Sequence, residues 1–259
     1  MSNNGWLSPK SCQQCDPCPG SGPGPKPKPC QKNECCCNKD IKRALELLLN
    51  PTIKDAIIYN EFAFVGEKFL IGTSLELITD WITEENDNTR PPNATLSSID
   101  PCQSSFININ APGYYYPIPA EDPSPYFIPD TISRASLCDL NAIIFNYDPE
   151  AVEDFEASLK ALLDKKYPCH NFKNNECCCG NDIFRDDECC CGDGIFRDIN
   201  KPYSFNDNLV NITGGWLALH EAKALGKVGN ILVLANTLDD INRIYFVCLE
   251  SIGFYGIPA

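Results

Sequence analysis

The sequence predicts a mainly β protein with a few helices, an α+β arrangement of two tandem small β-barrel or β-sandwich modules joined by a helix. Short apolar segments separated by Gly-, Asn- and Pro-rich turns indicate closely spaced strands. The order of these segments in residues 33–147 is repeated, with shorter connections, in residues 175–259. Each predicted module begins with three consecutive cysteines, which supports a tandem repeat.

Residues 1–32 form an N-terminal tail rich in Pro, Gly and Cys, a composition that excludes helix and central strand. We expect this tail to be extended, polyproline-like or disordered. Four lysines against one aspartate give it a charge of +3, whereas the whole chain carries −14. So acidic a protein is not expected to bind nucleic acid or an anionic membrane, since both are negatively charged.

In the first predicted module, residues 33–147, a helix follows the cysteines, with Asp40 as its N-cap and Pro51 just beyond its end. Its apolar positions recur at helical spacing: Ile41, Ala44, Leu45 and Leu48. Strand-like segments follow at residues 62–65, 69–71, 105–110 and 138–145. Two Pro-rich inserts interrupt this series, and the second spans residues 112–129.

Residues 148–174 are predicted to be a linker that contains the second helix, capped by Asp148 with Pro149 in its first turn. Its apolar stripe has three- and four-residue steps: Val152, Phe155, Leu159 and Leu162. In the second predicted module, residues 175–259, the corresponding strand-like segments are at residues 214–219, 230–235 and 247–254.

The cysteines are the most unusual feature of the chain, which has 17 of them, nine in three triplets. Neighbouring Cα atoms are about 3.8 Å apart, whereas a disulfide prefers about 5.5–6 Å, so the sulfurs of a triplet need partners elsewhere. An odd number also leaves one sulfur over if every disulfide lies within the chain. We therefore predict disulfide cross-linking, at least partly between chains, by the tail and triplet cysteines: Cys12, Cys15, Cys18, Cys30, Cys35, Cys36, Cys37, Cys177, Cys178, Cys179, Cys189, Cys190 and Cys191.

The alternative use of these sulfurs is metal binding, by Zn or an Fe–S cluster, or redox buffering. The spacing of Cys12, Cys15 and Cys18 copies part of a ferredoxin pattern, but Cys30 follows too late to complete it. Contiguous triplets match no zinc template, because zinc sites draw separated pairs from two arms. No metal site or cofactor is therefore predicted, and the metal-binding alternative stays open.

Enzymatic function has little support in the sequence. Neither a nucleophile elbow, a Walker loop nor a His-Glu-x-x-His motif occurs. The two histidines, His170 and His220, would need a deep pocket and a carboxylate partner to act as acid–base catalysts. We predict a non-enzymatic protein without catalytic residues.

The second insert carries three consecutive tyrosines, Tyr114, Tyr115 and Tyr116. We expect these rings to pack over the mouth of a barrel or to line a contact between subunits, where tyrosine is favoured. A sharper hypothesis is oxidative coupling of tyrosines between chains, which would be detected as dityrosine after acid hydrolysis.

The Glu-Cys-Cys-Cys openings, together with residues 62–66, 225–236 and 243–249, resemble the clostridial spore-coat protein A family, which is distinct from the copper laccase of the same name. The resemblance covers about residues 33–259 and leaves the tail outside. It implies a structural protein of the outer spore coat, whose partners are further copies in an oligomer or lattice and other spore-coat proteins. It also implies synthesis in the mother-cell cytoplasm, in line with a start that lacks signal-peptide features, and oxidation of the thiols when that cell lyses.

Overall fold

The computed structural model describes residues 36–67, 69–72, 94–98, 106–116, 126–167, 209–214, 217–236 and 242–256. For residues 36–39, 115–116, 126–127 and 129 it describes the backbone alone. The predicted tail, residues 1–32, and the second and third triplets lie outside the described residues.

Two α-helices and eleven strands account for most of the described chain. The helices are α1 (Cys36–Leu47) and α2 (Phe155–Lys166). The strands before α2 are β1 (Ile57–Gly66), β2 (Leu70–Ile71), β3 (Thr95–Ser98), β4 (Phe106–Tyr116), β5 (Tyr126–Ser136) and β6 (Leu140–Tyr147). Those after α2 are β7 (Leu209–Gly214), β8 (Leu217–Val228), β9 (Ile231–Ala235), β10 (Arg243–Cys248) and β11 (Phe254–Gly256).

The strands are hydrogen-bonded in the order β11-β7-β8-β9-β10-β6-β1-β2-β4-β3, and β5 pairs with β4. Strands that precede α2 in the chain therefore lie on one side of the β6–β10 pair, and those that follow it lie on the other. Phe145 of β6 is opposite Ile244 of β10 in this antiparallel pair. The predicted fold class, mainly β with a few helices, is confirmed, and the division into two modules stays a prediction.

A row of polar side chains crosses the β6–β10 pair and reaches β1. The Arg243 Nε donates to Asn146 Oδ1 at 2.9 Å, and Asn146 Nδ2 donates to Glu61 Oε2 at 2.9 Å. Arg243 is buried, so its charged group needs such partners. Because a slip of one residue would break these bonds, the row favours the observed register of the three central strands.

Large apolar side chains from alternate positions of the central strands form a core on one face of the sheet. The rings of Phe62 and Phe145, and those of Phe145 and Phe246, have centroids 5.3 Å apart. Both helices cover this face, because Leu45 of α1 and Leu159 of α2 are fully buried in the same cluster.

The opposite face of the central strands is covered by β7 and the first half of β8. Val210 and Ile212 of β7 belong to one buried cluster with Tyr245 and Val247 of β10. Strand β8 pairs with β7 along its first half and with β9 along its second half. A register shift in the β8–β9 pairing accompanies this change, and β-bulges bend strands in this way.

The predicted apolar face of α1 is confirmed, since Ile41, Ala44, Leu45 and Leu48 are all buried. The predicted N-cap is wrong, because α1 begins at Cys36 and Asp40 lies inside the helix. Asp40 has a partner distant in sequence instead, which no local cap pattern could indicate.

The predicted start of the second helix is also wrong. Helix α2 begins at Phe155, and its N-cap is Asp154, whose Oδ1 accepts from the backbone N of Ala157 at 3.1 Å. Asp148 accepts instead from the backbone N of Glu150 in the preceding turn, at 2.9 Å. Both aspartates have suitable cap chemistry, so the choice between them depends on which segment packs on the sheet.

Two predicted boundaries in the strands are corrected. The insert proposed for residues 112–129 is partly strand, because β4 continues to Tyr116 and β5 begins at Tyr126. Register shifts on both sides of Ala111 accommodate Pro112, which lacks a backbone donor. The strand predicted over residues 247–254 is interrupted after β10 by a 3-10 helix, Leu249–Ser251.

Candidate functional site

One end of the sheet holds the start of α1, the turn between β8 and β9, and the end of β10. The Asp40 carboxylate accepts a hydrogen bond from the backbone N of Asn230 at 2.9 Å. The backbone O of Asn230 accepts in turn from the backbone N of Leu249 at 2.8 Å. Because Asp40 and Asn230 are both buried, this chain of bonds is shielded from water and connects three parts of the molecule.

The β8–β9 turn approaches α1 closely because it contains a glycine. Gly229 has φ +56°, a left-handed conformation that favours glycine. A Cβ at this position would also collide with the Asp40 carboxylate. Glycine at residue 229 therefore permits the close contact between the helix and the turn, which a side chain at this position would prevent.

Cysteines from three parts of the chain come to this end. Cys36 and Cys37 form the start of α1. Cys138 is exposed in the 3-10 helix Leu137–Asp139, which contacts α1. Cys248 is the last residue of β10, where it is opposite Ile231, 5% exposed and disulfide-bonded.

Sequence reasoning did not single out Cys138 and Cys248 as functional residues. Neither lies in a triplet, and no local pattern distinguishes Cys248 from the apolar residues of its strand. Of the predicted cross-linking residues, Cys36 and Cys37 are placed by their backbone alone. The others lie outside the described residues: Cys12, Cys15, Cys18, Cys30, Cys35, Cys177, Cys178, Cys179, Cys189, Cys190 and Cys191.

The three predicted contact tyrosines lie in the last part of β4. Tyr114 is half-buried against the core and lines a shallow pocket with Phe69, Ile71 and Arg134. Tyr115 and Tyr116 are placed by the backbone, with Tyr116 opposite Tyr126 of β5. A role of these rings in subunit contacts stays a prediction.

The histidine considered for catalysis, His220, is exposed on β8. The next residue, Glu221, has φ +52°, and its backbone N donates to Asn211 Oδ1 at 2.7 Å. This local irregularity explains the shift in pairing between β7 and β8 near Asn211. His170 lies outside the described residues.

Within the ranges that the structure describes, no three His, Cys, Asp or Glu side chains are grouped in a way that could hold a metal ion. Except for Cys36 and Cys37, the cysteines on which the metal-binding alternative depends are outside these ranges. Among the same described residues, no helix combines the length and the apolarity needed to cross a bilayer.

The sequence model of the family described as "Spore coat protein CotA-like" matches residues 35–256 of the chain. The chain belongs to this family. It is also 31% identical over 272 residues to "Spore coat protein CotA" of Clostridioides difficile (strain 630), an alignment that covers 85% of this chain and 83% of that protein. No solved structure matches the chain.

Family membership confirms the predicted relationship to clostridial spore-coat protein A and the predicted localisation to the spore coat. The match begins at Cys35 and includes all three triplets, whereas the basic tail lies outside it. Synthesis in the mother-cell cytoplasm without a signal peptide stays a prediction.

Proposed function

We propose that this CotA-like protein is a structural, non-catalytic component of the spore coat that associates with further copies of itself and with other coat proteins. Disulfides formed by the cysteine triplets stabilise this assembly. The observation that carries the proposal is that the residues matching the spore coat family include all three triplets.

The position of the triplets relative to folded elements supports a cross-linking role. The first triplet runs directly into α1, which packs on the sheet. The second and third lie between the end of α2 at Lys166 and the start of β7 at Leu209. A disulfide at the first triplet therefore connects the partner chain directly to a packed helix, and the other two triplets lie in the segment that joins α2 to β7.

Charge distribution supports association between copies. A tail of +3 on a chain of −14 leaves −17 on the remaining residues. The tail of one copy is thus complementary to the acidic part of another, and opposite charges on two surfaces favour encounter and orientation.

Support for a non-catalytic role comes from the exposed histidine. His220 is exposed on β8, and the backbone that follows it bonds to Asn211. A general acid or base acts from a site that holds it close to the substrate proton, whereas this side chain lies on the exposed surface of β8.

The test is oxidative assembly of the full chain in vitro. The reduced protein is exposed to dioxygen, alkylated to stop exchange, and analysed on reducing and non-reducing gels together with elemental analysis. We expect a ladder of covalent multimers that collapses to monomer with reductant. Monomers insensitive to reductant that contain stoichiometric zinc or iron would overturn the proposal in favour of metal binding.

A matched pair of variants assigns the cross-links to the triplets. Replacing the six cysteines of the second and third triplets by serine is expected to remove most of the ladder. The control is Cys138→Ser, which removes an exposed sulfur from the body of the protein and leaves every triplet intact. A ladder lost in the control and retained in the triplet variant would contradict the proposal.

A further inference from the structure

Helix α1 presents one continuous buried sector to the sheet. Its buried side chains are Asp40, Ile41, Ala44, Leu45 and Leu47, and the buried Leu48 follows directly after its last residue. At about 100° per residue, these positions fall within one half of the helix circumference. Position 37, one helical turn before Ile41, lies at the middle of this buried sector.

The two other cysteines of the first triplet do not share this position. Position 36 falls about 100° away from position 37, at the border of the buried sector. Cys35 precedes the first residue of α1. Of the three, Cys37 is therefore the residue that the helix places towards the sheet.

The part of the sheet that faces the start of α1 contains Cys248. This residue is opposite Ile231, and both belong to the buried cluster that includes Ile41. The next residue along the chain from Cys248, Leu249, donates to the backbone O of Asn230, whose N donates to Asp40. One turn of α1 separates Asp40 from the first residues of the helix, so Cys248 lies within reach of that turn.

Cys248 is disulfide-bonded and 5% exposed, and it belongs to the buried cluster that α1 covers. We propose that its disulfide partner is Cys37, and that the Cys37–Cys248 disulfide fastens the start of α1 to the end of β10. In this reaction the two thiols lose two protons to solvent and two electrons to dioxygen, and an Sγ–Sγ bond forms. A small-molecule disulfide serves equally as the oxidant, since exchange reduces it to two thiols.

This bond has a consequence for the first triplet. One of its three sulfurs holds the helix in place within its own chain, and Cys35 and Cys36 remain for links to other chains. The internal bond and the cross-links are measured separately, because one is found in the monomer and the others define the multimers. If the internal disulfide is not found, the proposed cross-links between chains are not contradicted, and the reverse also holds.

The first measurement identifies the partner of Cys248 directly. The full chain is purified without reductant, alkylated under denaturing conditions and digested, and the monomer band is analysed by mass spectrometry. We expect the peptide of Cys248 to be linked to the peptide of the first triplet. Recovery of Cys248 in alkylated form, or linked to a cysteine of another segment, would overturn the proposal.

Variants distinguish the sulfurs within the triplet. In Cys37→Ser, Cys248 is expected to react with the alkylating agent once the chain is unfolded, whereas in the matched control Cys36→Ser it stays protected. Reductant is expected to lower the Tm of the wild type and of Cys36→Ser by roughly 10 °C, because the bond closes a loop of most of the chain. The Tm of Cys37→Ser should not respond to reductant. The reverse pattern, with Cys36→Ser insensitive, would show that the neighbouring sulfur forms the bond.

Discussion

Helices α1 and α2 are the same length and pack on the same face of the sheet, yet they are held by different interactions. Helix α1 is held by the buried Asp40 carboxylate, which accepts a hydrogen bond from the backbone of a turn 190 residues away in the sequence. Helix α2 is held by an exposed N-cap at Asp154 and by an ion pair of Glu156 with Lys223, 3.2 Å long and partly exposed. Water can replace the second kind of contact far more easily than the first.

This difference bears on the proposed assembly, because one cysteine triplet leads into α1 and another follows α2 in the sequence. The first triplet enters α1 at the end that Asp40 fixes, whereas the second follows α2 after a further stretch of chain. In the proposed assembly, a cross-link at the first triplet would therefore transmit force through α1 to the buried sheet. A cross-link at the second triplet would act on α2, whose N-cap and ion pair are individually weaker contacts.

The largest expected effect tests whether the two helices belong to one cooperative unit. Leu45→Ala in α1 and Leu159→Ala in α2 each remove a fully buried side chain from the same cluster. Each is expected to lower the free energy of unfolding by about 2–5 kcal/mol, with a single transition in urea followed by circular dichroism. A separate early transition in only one of the two variants would show that the helices unfold independently.

A smaller effect separates the two aspartates that hold the helices. Asp40→Ala leaves the buried N–H of Asn230 without its acceptor, so we expect a loss of about 1–3 kcal/mol. Asp154→Ala removes an exposed N-cap, for which about 1 kcal/mol is typical. Asp40→Asn is the matched control, because its amide oxygen can still accept the bond. Equal losses in the two alanine variants, measured by urea denaturation, would contradict the distinction between the helices.

The smallest effect concerns the pH dependence of the α2 region. Burial, followed by the charge of Glu156 and its hydrogen bond, raises the pKa of Tyr147 from 10.0 to about 12. The folded state thus favours the neutral phenol, and its contribution to stability is present below pH 10.0 and is lost as the pH rises through about 12. The Tyr147 hydroxyl donates to Glu156 Oε1 at 3.4 Å, and its ring stacks on Phe155 with centroids 4.1 Å apart.

The measurement compares the wild type with Tyr147→Phe, which keeps the stacked ring and removes the hydroxyl. We expect the stability of the wild type, from urea midpoints, to fall more steeply than that of the variant over this alkaline range. Absorbance of tyrosinate in the folded protein should also show one late-titrating group fewer in the variant. Parallel pH profiles for the two proteins would remove Tyr147 as the cause.

Much of the fold was predictable because it rests on local periodicity. The buried face of α1 follows from apolar residues at helical spacing, and each predicted strand segment overlaps an observed strand, although β3, β5 and β7 were not predicted. The helix starts were not predictable, because Asp40, Asp148 and Asp154 all have side chains that can cap a helix. Asp154 caps α2 through the nearby Ala157, whereas Asp40 accepts a bond from the distant Asn230 instead of capping α1.

The candidate site was predictable only in part, for a related reason. The triplets stand out as repeats within the sequence, and their motif indicates the family that the comparisons confirm. Cys248 gives no such signal, because a cysteine in an apolar strand looks like any small buried residue. Its proximity to the start of α1 depends on β10 lying between β9 and β6.

By itself, the sequence determined the β-rich class, the apolar face of α1 and the family of this spore coat protein, because each depends on residue types at short spacing. The tertiary structure alone decided that β6 and β10 lie side by side, and that Asp40, Gly229 and Cys248 meet at one end of the sheet. Such contacts join residues far apart in the chain, and strand order, rather than any local preference, brings them together.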